Sequence, residues 1–167
     1  MAKIILVRHG QSIWNLENKF TGWVDVDLSK YGEIEALNAG KSISQLDIKF
    51  DIAYTSILLR AVRTLEVILN QIHQEKLVVF KDWRLNERHY GNLQGLNKED
   101  TSRRFGKEQV FEWRRSYSLR PPEINETDFN SMRKNSLFKN IPHEKLPRSE
   151  SLKDTIERMT PFIENVF

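Results

Sequence analysis

The chain has 167 residues, 39% of them apolar and 29% charged, a balance that fits one soluble globular domain long enough to bury a core. It contains no cysteine, which excludes disulfides, thiolate metal sites and a cysteine nucleophile and fits a reducing, cytoplasmic setting. No stretch approaches the roughly 20 apolar residues of a membrane helix, so no membrane association is expected. The net charge of +3 is spread over 26 basic and 23 acidic residues rather than gathered into a block, so no nucleic acid is expected either.

In chain order, Lys3-Ile4-Ile5-Leu6-Val7 is a short apolar run that predicts a strand buried on both faces, ending at Arg8-His9-Gly10. Ser29 is placed to cap a helix reaching about Asp47, with Ala36, Ala39, Ile43 and Leu46 on its apolar face. Asp51-Ile52-Ala53-Tyr54 predicts a second strand. Ser56 is then expected to cap a helix whose stripe is Leu58, Ala61, Leu65, Ile68 and Ile72, and Leu77-Val78-Val79-Phe80 predicts a third strand. Strands alternating with helices imply an α/β fold with a parallel sheet.

Residues 84–118 are polar and Arg-rich, with a helix expected only around 108–116. Residues 121–147 hold Pro, Asn and Ser with few apolar residues and predict a surface excursion without catalytic groups. Beyond Pro147, Leu152, Ile156, Met159, Ile163 and Val166 predict a final helix running to Phe167, kinked at Pro161.

Open α/β sheets bind ligands beyond the carboxyl ends of their strands, where backbone amides and helix N-termini favour anions. Arg8-His9-Gly10 falls at such an end. A neutral imidazole is a good nucleophile toward phosphorus, and a guanidinium beside it neutralises phosphoryl oxygens. Arg60, in the first turn after the second strand, is expected to converge with Arg8 on one anion. Glu87, after the third strand, is a carboxyl placed among cations and suited to acid–base work. Arg114 and Arg115 offer two further forks for a carboxylate or second phosphate, against the ordinary reading of a solvated helix face.

Six segments together resemble the cofactor-dependent phosphoglycerate mutases of the histidine phosphatase superfamily. They are Leu6-Val7-Arg8-His9-Gly10-Gln11-Ser12-Ile13-Trp14-Asn15, Phe20-Thr21-Gly22-Trp23, Asp25-Val26-Asp27-Leu28, residues 85–91, Gln94-Gly95-Leu96-Asn97-Lys98 and Trp113-Arg114-Arg115. The resemblance implies a three-layer α/β/α fold with a mainly parallel central sheet. It implies that His9 is the phosphorylated nucleophile, that Arg8 and Arg60 hold the transferred phosphoryl group, and that Glu87 gives and takes the proton. Ser12, Asn15, Thr21 and Gly22 would line the substrate pocket, and Tyr90, Lys98, Arg114 and Arg115 would grip the carboxylate and remaining phosphate. The implied reaction interconverts 3-phosphoglycerate and 2-phosphoglycerate, with 2,3-bisphosphoglycerate as primer and intermediate, no metal, and a homodimer or homotetramer as the assembly.

Family members carry a second His-Gly motif after a further strand. The sequence stops before it, so residues 1–167 are expected to form a single but incomplete domain lacking the C-terminal strands. His73, His89 and His143 are read as structural or surface residues. Two other readings use the same residues. A phosphatase would release phosphate faster than it isomerises substrate, and a non-catalytic anion-binding protein would bind phosphoglycerate without forming phosphohistidine.

Overall fold

The structure is a computed structural model describing residues 3–166. In chain order a single turn of helix, α1 (Ile13–Leu16), is followed by α2 (Lys30–Ser44), strand β1 (Ala53–Thr55), α3 (Leu59–Gln71) and strand β2 (Val79–Lys81). The two strands pair in parallel, with Ala53 opposite Val79 and Thr55 opposite Lys81. Parallel neighbours need a crossover, and α3 supplies it. Helix α2 packs along α3, so both helices lie over the polypeptide that leads out of Gly10. The chain thus has the α/β organisation expected of it.

Ser29 caps α2 as its position predicts, its Oγ accepting from the Gly32 amide at 3.0 Å. Ser56 does not cap α3. The helix starts two residues later behind Leu58, and Ser56 Oγ accepts from Leu58 N at 3.2 Å. The orphan amide of Leu59 instead donates to Asp25 Oδ1 at 2.6 Å, so the first turn is satisfied by a residue 34 positions away. No local sequence pattern can announce such a cap.

The strand expected at residues 3–7 is not formed. The segment lies outside any ladder, with Leu6 90% and Ile4 57% exposed. An apolar run becomes a doubly buried strand only where neighbours pair with it, and no described residue does so.

Beyond β2 the chain makes a 3-10 turn at Trp83–Leu85 and another at Gly91–Leu93, then α4 (Lys98–Phe105) and α5 (Lys107–Arg115). Helix α4 escapes sequence reading because it buries only Thr101 and so carries no apolar stripe; its signal is the Asn97 cap, whose Oδ1 accepts from the amides of Glu99 and Asp100. Phe20, Leu93 and Val110 form one core cluster, with Tyr90 and Trp113 against it. Within 121–147, α6 (Glu126–Lys134) leads to Phe138, Ile141 and Leu146, which pack on Trp23 as a second cluster. The last helix, α7 (Leu152–Val166), runs through Pro161; Phe167 lies outside the described residues. Its expected apolar face is largely exposed, at 43% for Leu152, 40% for Ile156 and 39% for Ile163. The one buried residue of the helix is Phe162, although the side chain of a charged residue, Arg158, is only 7% exposed.

Gly10 and Gly32 show what holds the N-terminal segment against α2. A Cβ on Gly10 would sit 2.2 Å from the Gly32 carbonyl oxygen, and a Cβ on Gly32 would sit 2.1 Å from the Gln11 carbonyl oxygen. Both walls are backbone and cannot rotate away. Gly32→Ala is therefore expected to destabilise the fold by about 1–3 kcal/mol in urea unfolding, although the same exchange inside a helix ordinarily gains up to about 1 kcal/mol.

Candidate active site

The site is organised by one buried cation. Arg60 stands in the first turn of α3, is 1% exposed, and lies on the same helix face as Thr64 one turn later. Its Nη2 donates to the Gly22 carbonyl at 2.8 Å and to Glu87 Oε2 at 2.9 Å, and its Nη1 donates to the Val24 carbonyl at 3.1 Å. Its Nε–H reaches His9 Nε2 at 3.2 Å. Thr64 completes the arrangement, donating to the Arg60 carbonyl at 2.7 Å and accepting from the Gly10 amide at 3.1 Å. A single helix face therefore locates both the cation and the residue after the histidine.

These contacts define the state of His9. Its Nδ1 lies 2.7 Å from the Gly10 carbonyl, an oxygen that can only accept, so Nδ1 carries the proton. Nε2 is then a lone pair, and Arg60 donates to it. Burial chiefly, with help from the charges of Arg60 and Arg8, holds this imidazole below its ordinary pKa against the opposing pull of the Gly10 carbonyl and Glu87. The neutral, nucleophilic form is the one the fold favours.

The remaining expected residues fall into three pairs and two single positions. Lys98 and Arg114 share the field of Arg8 and Glu87: burial first, then the neighbouring Arg114, lowers the Lys98 pKa, with Glu87 opposing. Ser12 and Asn15 form a reciprocal cap on α1, Ser12 Oγ accepting from Asn15 N and Asn15 Oδ1 accepting from Ser12 N, both at 3.1 Å. Thr21 and Gly22 lie on the loop that Arg60 grips. The Thr21 hydroxyl is buried without a partner among the described residues, and Gly22 adopts a φ of +56° beside the Gln94 side chain. Tyr90 packs on Phe20 and under the Arg88 guanidinium. Arg115 is exposed, and no contact joins it to the others among the described residues. A hollow of about 450 Å³ borders Arg8, His9, Asn15, Glu35 and Thr64.

Several supporting residues were not anticipated. Trp23, 2% exposed, donates its indole N–H to the Glu87 carbonyl at 2.7 Å, and Gln94 Oε1 accepts from the Trp23 amide at 2.8 Å. Arg88 donates to the Arg114 carbonyl at 2.6 Å. The one available signal was Arg60 and Thr64 interrupting an otherwise apolar helical face. His89 is structural, as expected. It is 1% exposed, its Nδ1 accepts from the Gly91 amide at 3.0 Å, and burial, with Arg158 nearby, lowers its pKa to about 3.

Comparison with known proteins agrees with this geometry. The histidine phosphatase superfamily (branch 1) pattern matches residues 4–135. A 2,3-bisphosphoglycerate-dependent phosphoglycerate mutase of Staphylococcus epidermidis is 53% identical over 162 residues, covering 97% of this chain and 71% of that protein. The chain belongs to the histidine phosphatase superfamily, among its 2,3-bisphosphoglycerate-dependent phosphoglycerate mutases. The homologue of that name from Bacteroides fragilis is 51% identical, over 97% of this chain and 65% of its own length. The chain thus spans about two thirds of the length of such relatives. Among solved structures, a protein described as mycobacterial hydrolase 1 superposes with a TM-score of 0.68 at 24% identity, covering 95% of this chain and 62% of that one. A phosphoglycerate mutase from Bacillus anthracis superposes at 0.64 and 23% identity, covering 95% and 64%. These superpositions establish the α/β fold of the superfamily.

A neutral buried histidine makes stability depend on pH. Folded His89 stays neutral down to about pH 3, whereas the unfolded chain takes up a proton below the ordinary value of 6.5. The unfolded state binds more protons between those limits, so the contribution is complete above pH 6.5 and is lost as pH falls, at up to ~1.4 kcal/mol per unit. His89→Asn, which keeps an acceptor for Gly91, is expected to flatten the pH dependence of urea unfolding between pH 6.5 and 4.

Proposed function

We propose that this chain carries the phosphoryl-transfer site of a phosphoglycerate mutase, interconverting 3-phosphoglycerate and 2-phosphoglycerate through a phosphohistidine at His9, as a cytoplasmic enzyme of sugar breakdown and synthesis. The observation that carries the reading is the neutral His9 with its Nε2 lone pair aimed at a guanidinium that also binds a carboxylate. Relatives about half identical to the chain are named for dependence on 2,3-bisphosphoglycerate, which would be the primer and intermediate.

In this reading His9 Nε2 attacks phosphorus, forming a P–N bond while the P–O bond to the glycerate breaks. The leaving oxygen takes a proton from the Glu87 carboxyl, and the reverse transfer returns that proton from the attacking hydroxyl to Glu87. Arg60 lets go of Nε2 as the phosphoryl group arrives and, with Arg8, neutralises its oxygens. Because its Nη2 is already fixed on Gly22 and Glu87, the charge is set in place before reaction. Lys98 and Arg114, with Tyr90 and Arg115, would bind the carboxylate and second phosphate. The buried Thr21 hydroxyl, with Ser12, Asn15 and the Gly22 backbone, would meet the substrate's oxygens. Four cations, Arg8, Arg60, Lys98 and Arg114, against Glu87 suit a polyanion of this kind.

The test is phosphate uptake. Protein incubated with 2,3-bisphosphoglycerate is expected to gain acid-labile phosphate, seen as one phosphoryl mass, and His9→Ala to gain none; no uptake by the parent protein would overturn the reading. The depressed His9 pKa adds a signed expectation. Because its pKa is lowered, the imidazole stays neutral to more acidic pH than an ordinary one, so the loss of uptake rate on acidification should set in below the ordinary value of 6.5.

A further inference from the structure

Glu87 is 37% exposed, and its only side-chain partner among the described residues is Arg60. Where its carboxylate sits is therefore decided by the backbone of residues 83–89. That backbone has one 3-10 turn and otherwise no regular structure, so its carbonyls need donor partners from elsewhere.

One side chain supplies them. Arg158 of α7, its side chain 7% exposed, donates Nη1 to the Arg84 carbonyl at 2.7 Å, the Asn86 carbonyl at 3.2 Å and the Trp83 carbonyl at 3.4 Å, and Nη2 to the Asn86 and Glu87 carbonyls at 3.2 and 3.4 Å. The guanidinium is itself held by Glu150, 5% exposed, through Nε to Oε1 at 2.7 Å and Nη2 to Oε2 at 2.9 Å. Glu150 Oε2 also accepts from the His89 amide at 2.8 Å, and its own amide donates to the His89 carbonyl at 2.8 Å. Residues 84–89 are thus gripped along their length by one buried ion pair. Asn86 Oδ1 carries the constraint to the entry of α3 by accepting from the Ile57 amide at 3.3 Å.

We infer that Arg158, locked by Glu150, is a positioning residue for the phosphoryl-transfer site: it fixes the backbone that presents the Glu87 carboxylate to Arg60 and thereby to His9. The inference rests on the proposed function. A buried ion pair is a poor device for stability alone, since apolar residues of similar volume often do as well. Its use here lies in the fork, which meets four backbone carbonyls, those of Trp83, Arg84, Asn86 and Glu87, and a carboxylate at once. Lysine keeps the charge but cannot reproduce that fork.

The experiment compares Arg158→Lys with the parent protein and with Arg120→Met. Arg120 makes a second bidentate pair that pins the same helix through Asp154, at 2.7 and 2.6 Å, without touching residues 83–89. Four quantities are read: the unfolding midpoint, the Kd for 2,3-bisphosphoglycerate, the rate of His9 phosphorylation, and the His9 titration by NMR. Arg158→Lys is expected to slow phosphorylation by about tenfold to a hundredfold with Kd changed by less than about threefold, and to shift the His9 titration. Arg120→Met is expected to lower the midpoint and leave rate and titration unchanged.

A folded Arg158→Lys with parental rate and parental His9 titration overturns the inference, as does an equal loss of rate in Arg120→Met. Should Arg158→Lys not fold, Glu150→Gln, which keeps the shape and the acceptor for His89, gives the same comparison. If the parent protein takes up no phosphate, the mutase reading fails by itself, and the His9 titration in the variant still decides whether Arg158 governs the geometry around His9.

Discussion

A guanidinium taken almost wholly out of water must have its N–H groups bonded, or the fold that buries it is not stable. Arg60 meets that demand with groups from three distant parts of the chain: His9 beside the N-terminal run, the carbonyls of Gly22 and Val24, and the carboxylate of Glu87. Satisfying one cation therefore assembles the site. It also explains why the loop at 22–24 turns its carbonyls inward and why a glycine with positive φ stands there. Thr64, one turn along α3, extends the same logic to Gly10, so histidine and arginine are referenced to one rigid element.

Arg158 repeats the device at the next remove. Residues 22–24 and 83–89 both lie outside the regular ladder, and in each case a buried arginine replaces the neighbouring strand that would have bonded their carbonyls. The indole of Trp23 ties the two segments together through the Glu87 carbonyl, and the Arg158 guanidinium lies 5.5 Å from the Trp23 ring centroid. Irregular backbone leaves groups free to face a ligand, and buried arginines keep that backbone in one conformation. The arrangement suits the proposed phosphoryl transfer, because stabilisation of a transferred group depends on charges already in place.

Local patterns in the sequence determined a good deal. The apolar stripe of α3 and the cap at Ser29 act within a few residues, so the positions that encode them lie close together. The Arg8-His9-Gly10 tripeptide, the first-turn Arg60 and the carboxyl at Glu87 marked the chemistry, and the resemblance of their surroundings marked the family. Those residues are chemically distinctive wherever they sit.

What the tertiary structure alone decided depends on partners far away in sequence. Residues 3–7 read as a strand because apolar runs usually are, but a ladder needs a neighbour and none of the described residues provides one. Helix α7 read as an apolar stripe, yet it docks through Arg158, because buried carbonyls 71 to 74 residues away require a donor there. The helix-starting role given to Ser56 passed to Asp25, and the protonated nitrogen of His9 was fixed by the Gly10 carbonyl on one side and Arg60 on the other. Sequence thus marked the candidate groups, while the need to bond every buried polar atom decided their geometry, since that requirement is met only when the whole chain has closed around them.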